Sequence, residues 1–156
     1  IGHCHKRSTL SGFKQTLEGS KSEYAFHYNG YDDTIYAFEA PIDMLAYISM
    51  HPNSWKNHSY VALCSVSDKA LMHQLETHPV LKKIVLCLDN DDAGQSAVRR
   101  IKESLYQKGY TDVQVDIPLN KDWDEDLQVL SGIKPGIKTK EEMSWTESVH
   151  SSLSLS

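Results

Sequence analysis

The chain has only three cysteines in 156 residues, and no apolar run approaches the length of a membrane span. Nothing near Ile1 has the charged, apolar and small-residue sections of a secretory signal. Cys4, Cys64 and Cys87 form no paired framework, and the last two sit in apolar strand-like runs where cysteine acts as a small buried hydrophobe. The expectation is a reducing, cytoplasmic compartment with no membrane partner. Positive charge is also scarce where it would matter for a nucleic-acid clamp. Residues 1–22 carry a charge of +3, residues 23–131 carry −8, and the remainder balances. Such a middle argues against holding nucleic acid by a bulk positive field; it suits a site whose carboxylates are neutralised by cations, and equally an ordinary acidic domain, so charge alone decides nothing. The chain starts at Ile1 rather than methionine, so the expectation is a fragment of a longer protein.

An apolar share of 40% is enough for one packed core. "EYAFHYNGYDDTIYAFE" has the form of a hairpin, with alternating aromatics and turn residues before Ile35. From Thr34 the pattern becomes strand, helix, strand, helix. "TIYAFE" predicts a strand and "PIDMLAYISMH" a helix with Pro41 in its first turn. "SYVALCS" and "SDKALMHQLETH" repeat the unit, the helix being capped by Ser67 or Asp68. "KIVLCLD" is the near-continuous apolar run of a strand buried on both faces. "DAGQSAVRRIKESLYQKG" predicts a helix with Ala97, Val98, Ile101 and Leu105 on one face, ending at Gly109. "DVQVDI" is a fourth strand and "KDWDEDLQVL" a last short helix. Alternation with short connections implies βαβ units and a central, mostly parallel four-stranded sheet flanked by helices. The Ser-, Lys- and Glu-rich stretch from Gly132 reads as a weakly held helix or a disordered tail.

In a parallel sheet, ligands sit beyond the carboxyl ends of the strands. Glu39 closes the first strand, with Asp43 one helical turn on; Asp89 and Asp91 close the third; Asp122 and Asp124 follow the fourth across "PLNK". Ionised and unpaired at one edge, these carboxylates repel one another. A hard divalent cation with oxygen ligands removes that cost, and Mg²⁺ characteristically takes one or two carboxylates plus waters and substrate phosphates. For any single aspartate, Asp91 or Asp92 above all, a helix cap is the better reading, but it is less persuasive for three groups of acids at three strand ends. An EF-hand loop starting at Asp89 fails, because its fifth position is Ala93 and its twelfth Arg100. An aspartyl-nucleophile phosphatase fits poorly too, since Ala93 stands where those enzymes have Thr or Val.

"IYAFEAPIDML", "LCLDNDDAGQSA" and "KDWDEDL" together resemble the Toprim domain of topoisomerases, DnaG-type primases and several nucleases. The resemblance covers roughly residues 34–130, with the Asp-x-Asp-x-Ala-Gly form that primases use. It extends to the Toprim-like proteins of bacterial plasmids and conjugative elements. Those carry "EAPID" and "DNDxAG" after a "GSxKxYxF" segment, here "GSKSEYAFHYNG". The resemblance implies a Rossmann-like Toprim fold over 34–131, after a β-rich N-terminal extension (1–33) with its hairpin and before a C-terminal segment (132–156). In relatives of that kind a further domain lies upstream. Two departures stand out: Ala40 and the "CSVSD" segment, including Ser65, occupy positions where many primases have glycine.

The same resemblance implies phosphoryl transfer on DNA, or on RNA or nucleotides, with Mg²⁺ as cofactor and Mn²⁺ as its substitute. Asp89 and Asp91, helped by Asp122 and Asp124, would hold one or two ions. Glu39 would be the general acid/base or a further ligand, and Asp43 an outer ligand or orienting group. The alternative is a catalytically silent Toprim module that binds DNA or a protein partner. Lys69, Lys82, Lys83, Arg99, Arg100 and Lys102 could steer phosphates, although charges on helices are usually a solvated face. Trp123 is expected to pack the last helix. His3, Cys4 and His5 are consecutive, and adjacent side chains on extended backbone diverge, which argues against one shared Zn²⁺.

Overall fold

A computed structural model describes residues 4–7, 14–64 and 67–133. Its first strands are β1 (His5–Arg7), β2 (Lys14–Thr16) and β3 (His27–Tyr28). The alternating part follows as β4 (Thr34–Phe38), α1 (Pro41–Met50), β5 (Ser59–Ala62), α2 (Lys69–Thr77) and β6 (Lys83–Cys87). It ends with α3 (Asp92–Gln107), β7 (Asp112–Val115) and α4 (Trp123–Leu130). Local chemistry sets several of these boundaries. Pro41 opens α1, where its missing N–H would have had no helical partner. Gly109 follows α3 with φ +87°, the left-handed conformation that ends a helix at little cost to glycine. At α2, Asp68 holds the cap position without a side-chain cap bond; it accepts instead from Ser104 Oγ on α3 at 3.0 Å.

Four strands form the expected parallel sheet, in the order β5-β4-β6-β7. A fifth, β3, joins antiparallel on the outer side of β5. The hairpin expected between the segment around Tyr28 and the strand at Ile35 therefore does not form: His27 and Tyr28 pair with Val61 and Tyr60. The reason lies in residues 29–33, which run under the start of β5 instead of turning tightly. The N–H groups of Tyr31 and Asp32 donate to the Asn57 carbonyl at 2.7 and 2.9 Å. A Cβ at Gly30 would lie 2.3 Å from the carbonyl oxygens of Asn57 and His58, so only glycine allows this crossing. β1 and β2 make a separate two-stranded antiparallel ladder. The segment expected as a C-terminal helix or tail lies, from residue 134 on, outside the described residues.

Strand alternation divides the core between the two faces of the sheet. Ile35, Ala37, Val61, Ile84 and Leu86 face α2 and α3, meeting Leu71, Ile101 and Leu105. Phe38, Tyr60, Ala62 and Cys87 face α1 and α4, meeting Met44, Tyr47 and Trp123. Tyr47 and Trp123 pack edge to face, with centroids 4.8 Å apart. The expectation for Trp123 is met, for it is 5% exposed and its indole N–H donates to the Cys87 carbonyl at 3.0 Å. That bond seats α4 on the exit of β6.

Ile101 is fully buried, and its methyl groups have no other place to go. Ile101→Ala is expected to cost about 2–5 kcal/mol, read as a lower urea midpoint with an unchanged slope. A loss below about 1 kcal/mol would mean that α3 does not pack as described.

Candidate active site

The strand order creates a crevice. β4 passes by α1 to β5 on its one side, whereas β6, on its other side, passes by α3 to β7. α1 belongs to one face of the sheet and α3 to the other. Neighbouring strands whose chains leave toward opposite faces open a cleft between their carboxyl ends, the usual ligand position of open α/β sheets. Phe38 pairs with Cys87 at the last rung. Glu39 and Asp89 are thus the residues that emerge on either side of the cleft.

Asp89 carries the strain of the site. Its Oδ1 is buried without a hydrogen-bond partner among the described residues. Burial, followed by the charges of Glu39, Asp43 and Asp122, pushes its carboxyl up to about 7, with Lys121 pulling the other way. The structure brings Glu39, Asp43 and Asp122 within electrostatic range of Asp89.

The remaining acids are held by the helices. Asp91, in extended conformation, caps α3 by accepting from the Gly94 N–H at 2.8 Å. Asp122 does the same for α4, accepting from the Glu125 N–H at 2.9 Å. Each cap uses Oδ1. Asp43 is 3% exposed, and its Oδ1 accepts from the Asp124 N–H at 3.4 Å. Asp124 Oδ2 accepts in turn from Gln128 Nε2 at 2.9 Å, along its own helix. Among the described residues, no three His, Cys, Asp or Glu side chains gather closely enough to hold an ion by themselves. That includes Cys4 from the "HCH" group, of which His3 lies outside the described residues.

Several residues that position the site are not evident from the motifs. Asn90 ties the β6 exit to the loop before α4: its N–H donates to the Lys121 carbonyl at 2.7 Å and its Nδ2 to the Pro118 carbonyl at 3.2 Å. Asp126 clamps the same loop, accepting from the N–H groups of Leu119 and Asn120, both at 2.8 Å. Gly94 lets α3 start against the strand exit, since a Cβ there would lie 2.1 Å from the Asp89 carbonyl oxygen. The Asp-x-Asp-x-Ala-Gly spacing was the available signal for Gly94; nothing local marks Asn90 or Asp126. Of the cations, Lys83 pairs with Asp33 at the opposite end of the sheet, where Lys82 also lies. Lys121 is the one that acts on Asp89. The positive backbone angle after β5 falls on Cys64, φ +58°, while Ser65 lies outside the described residues.

Two outcomes are expected. A carboxyl raised from 3.8 to about 7 favours the fold while protonated. That contribution is complete below about pH 4 and lost as the pH rises through about 7. Without divalent cations, Asp89→Asn should therefore melt higher than wild type at pH 8, by on the order of 2 kcal/mol after allowance for solvent screening. The gap should close toward pH 4, and a gap independent of pH would contradict the repulsion. Gly94→Ala should cost about 3 kcal/mol or more, because backbone rather than a side chain must move; an unchanged thermal midpoint would contradict the close approach.

Comparison with known proteins agrees with this geometry. The family model described as Toprim-like matches residues 36–127. An uncharacterized protein of Bacillus anthracis is 24% identical over 102 residues, 62% of this chain and 30% of that protein. An uncharacterized protein of Mycoplasma genitalium is 30% identical over 96 residues, 60% of this chain and 41% of that protein. The match thus spans less than half the length of either curated relative. Among solved structures, the primase fragment of the bacteriophage T7 primase-helicase protein superposes with a TM-score of 0.58 at 22% identity. That match covers 85% of this chain and 52% of the fragment. A T7 lagging-strand DNA polymerase complex with primase domains of two gp4 subunits, bound to an RNA/DNA hybrid and dTTP, gives 0.58 at 23% identity. It covers 78% of this chain and 60% of the matched one. At these identities the structural likeness is one of fold. The motif order, the strand order and the match over more than half of its length make this chain a member of the Toprim-like family.

Proposed function

We propose that this Toprim-like domain performs Mg²⁺-dependent phosphoryl transfer on nucleic acid, primase-like or nuclease-like. Its context would be a DNA replication or transfer protein of a plasmid or mobile element. The observation that carries the reading is the unpartnered, buried Oδ1 of Asp89 with Glu39, Asp43 and Asp122 around it. Left ionised together, these groups destabilise the fold, and a cation with oxygen ligands reverses the sign of the interaction. An ion that takes one or two carboxylates and fills its shell with water and phosphate needs no closed protein cage, so the spread donor set suits Mg²⁺.

Asp89 would be the principal ligand, with Asp91 and Asp122 contributing the oxygens that their helix caps leave over. The bound cation would supply charge stabilisation for the transferring phosphoryl group. Glu39, across the cleft from Asp89, would act as general acid/base or as a further ligand. Asp43 is a positioning residue in this reading: buried and bonded to the Asp124 N–H, it fixes the start of α4. Nucleic acid as partner is supported by the RNA/DNA hybrid bound in the complex that holds the T7 primase domains.

A second reading is favoured by one observation. Asp91 and Asp122 both have structural employment as caps, and Asp124 leans along its own helix. A silent module that binds DNA or a protein would keep these acids for stability alone.

Calorimetric titration with Mg²⁺ and Mn²⁺ separates the readings. Wild type should bind, and Asp89→Asn should not. Glu39→Gln should retain the metal while nicking or primer-synthesis activity falls about 10²–10⁴-fold. No binding by wild type, together with no activity on any divalent metal, would leave the silent module.

A further inference from the structure

We propose that a pocket at the start of β3 and the exit of β5 stacks a nucleobase of the strand whose phosphates lie at the carboxylates; this rests on the nucleic-acid reading above. Because β3 runs antiparallel to β5, the residues before it lie beyond the carboxyl end of β5. The Phe26 carbonyl accepts from the Ala62 N–H at 2.9 Å, the last rung at that edge. Tyr24, Phe26, His27, Pro41, Cys64 and Cys4 line a cavity of about 560 Å³ there. Small-molecule sites span about 300–1,000 Å³.

The pocket is continuous with the acidic cleft. Cys64 turns the chain out of β5, and its N–H donates to the Glu39 carbonyl at 2.9 Å. Pro41 stands two residues after Glu39. With β5 between β3 and β4, the Cys64 wall of the pocket is one strand spacing from the Glu39 strand, about 4.8 Å, and the Tyr24 and Phe26 wall about two. Across the edge, the order is therefore aromatic pocket, Glu39, Asp89.

Its walls suit a base. Tyr24 and Phe26 are each 48% exposed. The Tyr24 ring is braced edge-on against His73 at 5.2 Å, whereas Phe26 has no aromatic partner among the described residues. A single exposed aromatic needs no explanation; two of them, lining one cavity beside a phosphate-chemistry edge, match the stacking platforms that bind single strands. The His27 ring donates from Nδ1 to the Ala25 carbonyl at 2.8 Å, which fixes the ring at the pocket wall. Charge points the same way. Through Cys4, whose N–H donates to Ser20 Oγ at 3.1 Å, the pocket adjoins the N-terminal residues that carry Lys6 and Lys21. Lys6 and Lys21 are exposed in that segment.

The test is fluorescence anisotropy in Mg²⁺ with a short labelled thymidylate strand and an abasic strand of equal length. Phe26→Ala should weaken the thymidylate strand about 5- to 100-fold, the worth of one stacked base. It should leave the abasic strand unchanged. Phe26→Trp should restore affinity, with the emission gained over wild type quenched on binding. Phe26 is half exposed and its ladder bond is backbone, so the fold tolerates either change. Equal affinity of wild type for both strands, or an equal loss on both with Phe26→Ala, overturns the pocket. A wild type that takes up Mg²⁺ yet ignores the bases overturns the pocket alone. Stacking through Phe26 without metal uptake supports the pocket and overturns the metal-dependent reaction.

Discussion

β4 and β6 lie side by side, and their chains leave toward opposite faces of the sheet. Every other property of the site follows from that adjacency. It sets Glu39 and Asp89 across one cleft, and it forces α3 to begin hard against the strand it has just left. The second demand admits no side chain at Gly94, whose position touches the Asp89 backbone. Gly94 is therefore a packing requirement of the cleft wall.

The acids of this edge do two kinds of work. Asp91 and Asp122 are helix caps, a use that needs no ligand and explains their extended backbone. Asp89 has no such occupation: its buried oxygen has no donor among the described residues, and its neighbours raise the cost of its charge. One residue in this unsatisfied condition tells more about chemistry than the total number of carboxylates, because polar atoms in folded proteins are normally paired. Asn90 ties the two loops together and Asp126 holds the second one on α4, so that the groups remain close despite their repulsion.

The N-terminal segment has a larger part than the motifs suggest. As an antiparallel edge strand, β3 carries Tyr24 and Phe26 to the same edge as the acids. A hairpin onto β4 would have kept this segment away from the outer side of β5. Gly30 and the Asn57 carbonyl decide between these outcomes, because the chain must pass under β5 before entering β4.

Much of the fold was legible in the chain. A near-continuous apolar run in "KIVLCL" and the Ala97–Val98–Ile101–Leu105 stripe dictate a strand and a helix by pattern alone. Pro41 and Gly109 mark ends by backbone chemistry. The order of Glu39, Asp-x-Asp and the Asp122–Asp124 pair fixed which residues reach the carboxyl edge, since each directly follows a strand or a short loop. What the sequence could not contain was lateral order. Strand pairing is decided by packing between segments far apart in the chain, so neither the β4–β6 neighbourhood nor the antiparallel place of β3 has a local signature. The same holds for the orphaned oxygen of Asp89: burial and the approach of Glu39, Asp43 and Asp122 exist only once the sheet has assembled.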